Sequence, residues 1–246
     1  MTRFNDQRIV TLNCGLGRDS LTMLCLLVEG ELIAQGRKIG PEDVDAVVFS
    51  DTGAEWPHTM ALLEDVRDIC YDHGIRFFML RKPDAELCQT WEQTKERAWI
   101  HNRWTTLEEK ANEGGYHLRA QIFEDYKSRQ TVVSLGKGDC TDNHKIQPIR
   151  RLINDLSIER FGKKNRQWSA AVRNGETVPH ITLIGYAADE ASRIKTPKNA
   201  PKFVTERFPL VEMGIDKASE QPILERHGLG HVRKSGCYGC PFQPAS

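Results

Sequence analysis

Apolar residues in this chain come in short bursts, and the spacing within the bursts alternates between two kinds. Arg8-Ile9-Val10-Thr11-Leu12 reads as a short buried strand, and Gly15 and Gly17 break it. From Ser20 to Gly30 the apolar positions Leu21, Leu24, Cys25 and Val28 follow the spacing of one helix face. Asp45 to Ser50, centred on Ala46-Val47-Val48-Phe49, predicts a second buried strand. Pro57 suits a helix's first turn, and Leu62 or Leu63, Val66, Ile69 and Cys70 supply that helix's inner face. Ile75 to Leu80 predicts a third strand. The β-α-β-α-β order implies an α/β fold, a doubly wound, mostly parallel sheet covered by helices.

The pattern then changes. Residues 84–130 are charged and aromatic, with Trp91, Trp99, Trp104, Tyr116, Phe123 and Tyr126, and predict a mostly helical insertion over the sheet edge. Ile149 to Phe161 predicts another helix, and Ile181 to Gly185 a late strand. Residues 203–246 form an expected C-terminal cysteine-containing module, opened by Phe208-Pro209-Leu210. Lys195 to Lys202 is linker-like, but 1–246 reads as one domain.

Composition narrows the class. The 246 residues are 39% hydrophobic and 28% charged, an ordinary globular balance. Lys and Arg total 34, as do Asp and Glu, so net charge demands no polyanionic or membrane partner. No apolar run approaches the roughly 18 residues of a membrane span, and the polar start Met1 to Arg8 is unlike a secretory leader. The expectation is a cytoplasmic protein without a membrane partner. In that reducing setting the seven cysteines read as fillers, metal ligands or catalysts, not as a disulfide framework. Cys25 and Cys70 fall on apolar helix faces, and Cys88 is incidental. Cys14, Cys140, Cys237 and Cys240 have more telling surroundings.

The first βα junction is Asn13-Cys14-Gly15-Leu16-Gly17-Arg18-Asp19-Ser20. Glycines admit phosphate close to the backbone, and the following helix offers unpaired N–H groups. Arg18 and Ser20 add donors. A bare Gly-x-Gly also fits a simple tight turn; it is neither a Walker loop nor a dinucleotide fingerprint. The stretch Gly15 to Ser20 resembles the Ser-Gly-Gly-Lys-Asp-Ser loop of PP-loop ATP pyrophosphatases. Asp51-Thr52-Gly53-Ala54-Glu55-Trp56-Pro57-His58-Thr59 resembles the Asp-Thr-Gly-x-x-Phe-Pro-Glu-Thr segment of PAPS reductases. The resemblance implies an adenine-nucleotide site built from Cys14, Gly15, Gly17, Arg18, Asp19, Ser20, Asp51, Thr52 and Gly53. The nucleotide would be ATP, with magnesium as companion ion, or a related adenylyl compound.

Cys237-Tyr238-Gly239-Cys240-Pro241 is a Cys-x-x-Cys, open to redox, zinc or iron–sulfur readings. The run from Asp139-Cys140 through Lys145 to Pro148-Ile149 resembles the cluster segment of assimilatory APS reductases. That resemblance implies a 4Fe-4S cluster on Cys140, Cys237 and Cys240, with Asp139 where the family has a fourth cysteine and Lys145 beside the cluster. An open iron position would follow. A structural zinc, completed by His144 or His231, is the alternative. Gly185 to Arg193 resembles a later PAPS-reductase segment, matched by Asp189, Glu190 and Arg193, with Ala187 where the family has an arginine. Asp19, Lys145 and Arg193 are the candidate catalytic residues. Arg150, Arg151, Arg160, Lys163, Lys164 and Arg166 form a basic stretch, either a solvated face or a phosphate-backbone track.

Three functions compete. One is ATP-dependent activation or sulfur transfer, similar to Dnd-type DNA phosphorothioation or tRNA thiolation, with a nucleic-acid substrate and a sulfur donor or partner protein. Another is sulfonucleotide (APS/PAPS) reduction, which lacks the family's C-terminal thiol unless Cys14 or a partner supplies one. The third is a nucleotide-sensing scaffold subunit with a structural metal.

Overall fold

The computed structural model describes residues 2–81, 99–101, 122–123, 126, 139–195, 200–237 and 240. In chain order the strands are β1 (Val10–Asn13), β2 (Leu32–Ala34), β3 (Arg37–Ile39), β4 (Ala46–Asp51), β5 (Phe77–Arg81), β6 (Trp99–His101), β7 (His180–Ile184) and β8 (Val204–Arg207). The helices are α1 (Arg18–Val28), α2 (Pro57–Met60), α3 (Leu63–Asp72), α4 (Asp139–Thr141), α5 (Gln147–Phe161), α6 (Asn165–Arg173), α7 (Pro209–Met213) and α8 (Lys217–Arg226). A π-helical stretch, Asp142–Ile146, joins α4 to α5 without a break.

The main sheet has the order β6-β5-β4-β1-β7-β8. Five of its strands run parallel, and β6 alone is antiparallel, against β5. All six residues of β4 are buried, as a strand covered on both faces requires. Val10, Leu12, Val47, Phe49, Met79 and Leu183 point to one face, where Leu21 and Leu24 of α1, Val66 of α3 and Leu224 of α8 pack. Ile9, Val48, Phe78 and Leu80 point to the other, against Leu152, Ile153 and Leu156 of α5. The α/β architecture and mostly parallel sheet therefore stand. Cys25 and Cys70 are buried in the first layer, as their helical spacing implies.

Some boundaries differ. The helix expected from Pro57 is divided: the Leu62 N–H bonds to Thr59 O at 3.2 Å, a tighter turn that separates α2 from α3. The hairpin β2–β3 was not expected from the pattern. Its turn residues Gln35 and Gly36 both have left-handed φ, 54° and 72°, as a two-residue hairpin turn demands. β8 lies at the sheet edge beside β7, and its charged sequence hid it. Of the insertion expected over 84–130, β6 is a strand, and Ile122, Phe123 and Tyr126 are helical. Its remaining residues, including Cys88, Trp91, Trp104 and Tyr116, lie outside the described set, as does part of the Lys195–Lys202 linker. No helix among the described residues is long and apolar enough to cross a membrane.

β7 carries a pH-sensitive element. His180 is fully buried, its ring centroid 4.0 Å from that of Trp168, and its Nδ1 accepts the Ile9 N–H at 2.9 Å. Protonating Nδ1 would break that bond. Burial, then the Arg8 cation, push the imidazole down to about 3. The unfolded chain takes up this proton near its ordinary 6.5, so stability from the neutral ring is full above that pH and is lost as pH falls toward 3. Unfolding free energies from urea titrations should fall by up to about 1.4 kcal/mol per pH unit across that window. His180→Gln should flatten the dependence.

Candidate nucleotide and thiol site

β1 and β7 are neighbours, yet the chain leaves them toward opposite edges of the sheet. Such a switch point opens a crevice at the strands' carboxyl ends. The loop Cys14–Gly17 and the first turn of α1 form one lip, and Gly185–Ala187 forms the other. The lips touch: a Cβ on Gly185 would stand 2.9 Å from both the Asp19 carbonyl carbon and the Ser20 nitrogen. The Ala187 N–H donates to Asp19 Oδ2 at 3.3 Å.

The loop is tightly built. The Cys14 N–H donates to Val48 O at 2.8 Å. Leu16 is fully buried and left-handed, φ 56°. The Ser20 hydroxyl donates to Gly17 O at 2.9 Å and accepts the Gly17 N–H at 3.3 Å. A Cβ on Gly17 would meet Ser235 Oγ at 2.4 Å, so only glycine lets the C-terminal segment lie across the loop. Cys14 is closed to solvent, and burial pushes its thiol up to about 11. It is therefore protonated near neutral pH.

Arg18, expected to face phosphate, is held by α8: Nη1 donates to Gln221 Oε1 at 2.7 Å and Nε stands 3.5 Å from Glu220 Oε2. Glu220 was not singled out by the sequence. It is fully buried, and neither carboxylate oxygen has a hydrogen-bond partner among the described residues. Burial and then Asp19 push it up to about 7. Asp19 is itself raised, by burial first and then by Glu190. Arg193 lies 4.6 Å over the Tyr186 ring and is paired with Glu190, not with the loop.

The other wall follows β4. Asp51 Oδ1 accepts the Gly53 N–H at 2.7 Å, and Gly53 is left-handed at φ 76°, making a tight side-chain-capped turn. Thr52 Oγ1 donates to Glu55 Oε1 at 3.1 Å and lies 3.1 Å from Cys237 Sγ. Glu55 pairs with Cys237 in an isolated antiparallel bridge, and Lys145 Nζ is 3.7 Å from its carboxylate. Cys140 and Cys237 pack on Ala54, Ile122 and Tyr126. The Cys240 N–H donates to Cys237 O at 3.1 Å. Burial works against the Lys145 charge, but Glu55 and the three thiols outweigh it and raise its pKa. Burial, then Glu55, push the Cys237 thiol up to about 11, against the pull of Lys145.

Cys140 and Cys237 thus share one apolar cluster, Cys240 is bonded to Cys237, and Glu55 links Cys237 to Lys145. Among the described residues no three His, Cys, Asp or Glu side chains converge on a metal-sized point. The donor identities suit a thiophilic metal, and their spacing here is not that of a closed coordination shell. The side chain of Asp139 and residues Tyr238, Gly239 and Pro241 lie outside the described set. His144 is buried and His231 exposed.

Ser235 to Cys237 joins the two walls, touching Gly17 at one end and Thr52 and Glu55 at the other. A cavity of about 640 Å³ opens at the opposite, amino-terminal end of the strands, lined by Ile9, Val44, Asp45 and Arg76. Arg76 and Arg160 there are already paired with Glu159 and Asp45. No protein-family model and no curated protein matches the chain.

Proposed function

We propose that this chain is an adenine-nucleotide-binding enzyme of the PP-loop, PAPS-reductase-like kind, using a metal on Cys140, Cys237 and Cys240 in sulfur transfer or substrate activation. The observation that carries the reading is the segment Ser235–Cys237, which bridges the glycine loop and the thiols. A nucleotide's phosphates would meet the N-terminus of α1, where the helix dipole favours an anion. Asp51, Thr52 and Gly53 would border the nucleoside. Arg18 would be released from Gln221 to meet phosphate, and Lys145 would hold positive charge beside the thiols. A bound iron–sulfur cluster would supply redox capacity and, with three protein thiolates, an open iron position.

A second reading has one observation in its favour. Because Gln221 and Glu220 occupy Arg18, a nucleotide-sensing subunit with a structural metal also fits. Anaerobically purified protein tests both. The proposal expects iron and sulfide, metal loss in Cys140→Ser, and conversion of ATP to AMP and pyrophosphate once the acceptor and a sulfur donor are present. Zinc with nucleotide binding but no turnover would favour the sensing subunit. Unchanged metal content in Cys140→Ser would reject the ligand set.

A further inference from the structure

Charge in this chain is segregated. Residues 147–173 carry seven Lys and Arg against two acidic residues, although the whole chain is neutral. The two acids are Asp155 and Glu159, and Glu159 is engaged by Arg76. Arg160 is spent on Asp45, and Arg150 lies 4.0 Å from Asp142. Arg151, Lys163, Lys164, Arg166 and Arg173 remain, exposed and without an acidic partner among the described residues.

The backbone aligns these cations. α5 ends at Gly162, whose left-handed φ of 65° turns the chain back. Residues 163–165 then run beside α5 and are fastened to it one turn at a time. The Ser157 hydroxyl donates to Lys163 O at 2.7 Å, the Asn165 N–H to Asn154 Oδ1 at 3.0 Å, and Asn165 Nδ2 to Arg150 O at 2.9 Å. These bonds hold Lys163, Lys164 and Arg166 along α5, from Ser157 back to Arg150, a helical rise of about 10 Å. That length matches about three successive phosphates of one strand. The ridge ends where α5 joins the Asp142–Ile146 stretch, and hence beside Lys145 and Cys140.

From this alignment we infer that the α5–α6 edge binds the phosphate backbone of a nucleic-acid strand and leads it toward the thiol pole. The inference concerns a surface separate from the glycine loop and holds whether or not the nucleotide reading does. A nucleic acid fits better than a membrane, because Ile158 is the one large apolar side chain exposed on these helices among the described residues, leaving little to insert into lipid. It fits better than an acidic protein, because no apolar centre accompanies the cations.

The test is fluorescence anisotropy of the full chain with labelled oligo-uridine RNA, oligo-thymidine DNA and a DNA duplex, titrated across salt. The variant Lys163→Ala/Lys164→Ala/Arg166→Ala should bind at least about tenfold more weakly at low salt. Its log–log salt slope should be shallower by about 2, three phosphate contacts having been lost. Lys164→Gln alone should give a smaller change in the same direction, which guards against misfolding of the triple variant. Lys38→Ala, on a hairpin packed against the opposite sheet face, should bind as the wild type does. Comparison of the three probes identifies the kind of strand. Equal binding by the triple variant and the wild type, or wild-type binding to phosphatidylserine vesicles but to no oligonucleotide, would overturn the inference. ATP turnover, measured separately, leaves it untouched.

Discussion

Gly185→Ala is expected to lower stability by about 2 kcal/mol, with a melting temperature lower by roughly 5 °C, and to weaken adenine-nucleotide binding by at least about tenfold. The added methyl would sit 2.9 Å from two backbone atoms of α1, the Asp19 carbonyl carbon and the Ser20 nitrogen. Backbone cannot rotate aside as a side chain can, so the helix start must move away from the end of β7. That movement stretches the Ala187 N–H to Asp19 contact and the Ser20 hydroxyl bonds that shape the loop. Differential scanning fluorimetry with and without ATP checks both effects. Wild-type melting and an undiminished ligand shift would show that the lips of the crevice do not depend on this contact.

Glu220→Gln is expected to stabilise the protein by about 2 kcal/mol near pH 8 and to leave it unchanged near pH 4.5. The carboxyl is fully buried, its oxygens lack hydrogen bonds among the described residues, and Asp19 stands beside it. The fold therefore prefers the protonated acid, with a pKa of about 7 against an ordinary 4.5. Its contribution is fully present below 4.5 and is lost as pH rises through 7, where the charged form must be accommodated. Glutamine keeps the shape and never ionises. Gln221 still holds Arg18 in the variant, so lost anchoring of that arginine should not obscure the result. Chemical denaturation at several pH values reads the difference. Parallel curves for the two proteins would contradict it.

The buried strands were legible because a parallel strand covered on both faces must be an unbroken apolar run, as Ala46-Val47-Val48-Phe49 is. β8 and β3 were hidden for the converse reason: Val204-Thr205-Glu206-Arg207 and Arg37-Lys38-Ile39 are edge or hairpin strands with a solvated side. The glycine loop and the cysteines were legible by residue type. Glu55 and Glu220 were not, since an acid is buried by what packs on it from elsewhere in the chain. The sequence around Glu220, Lys217 to Arg226, is mostly polar, and its burial comes from α8 meeting α1. The orientation of Arg18 was concealed in the same way, because its partners lie some 200 residues away along the chain.

Residues 14–20 leave the ribosome well before the parts that enclose them, at positions 185, 220 and 235. β1 likewise lies between β4 and β7, so the centre of the sheet must wait for a late strand. A nascent chain halted before Lys217 would therefore carry the glycine-rich turn without Glu220, Gln221 and Ser235, which hold Arg18 and cover Gly17. Acquisition of ligand affinity during translation should accordingly come in one step, once α8 and the segment at Ser235 have docked.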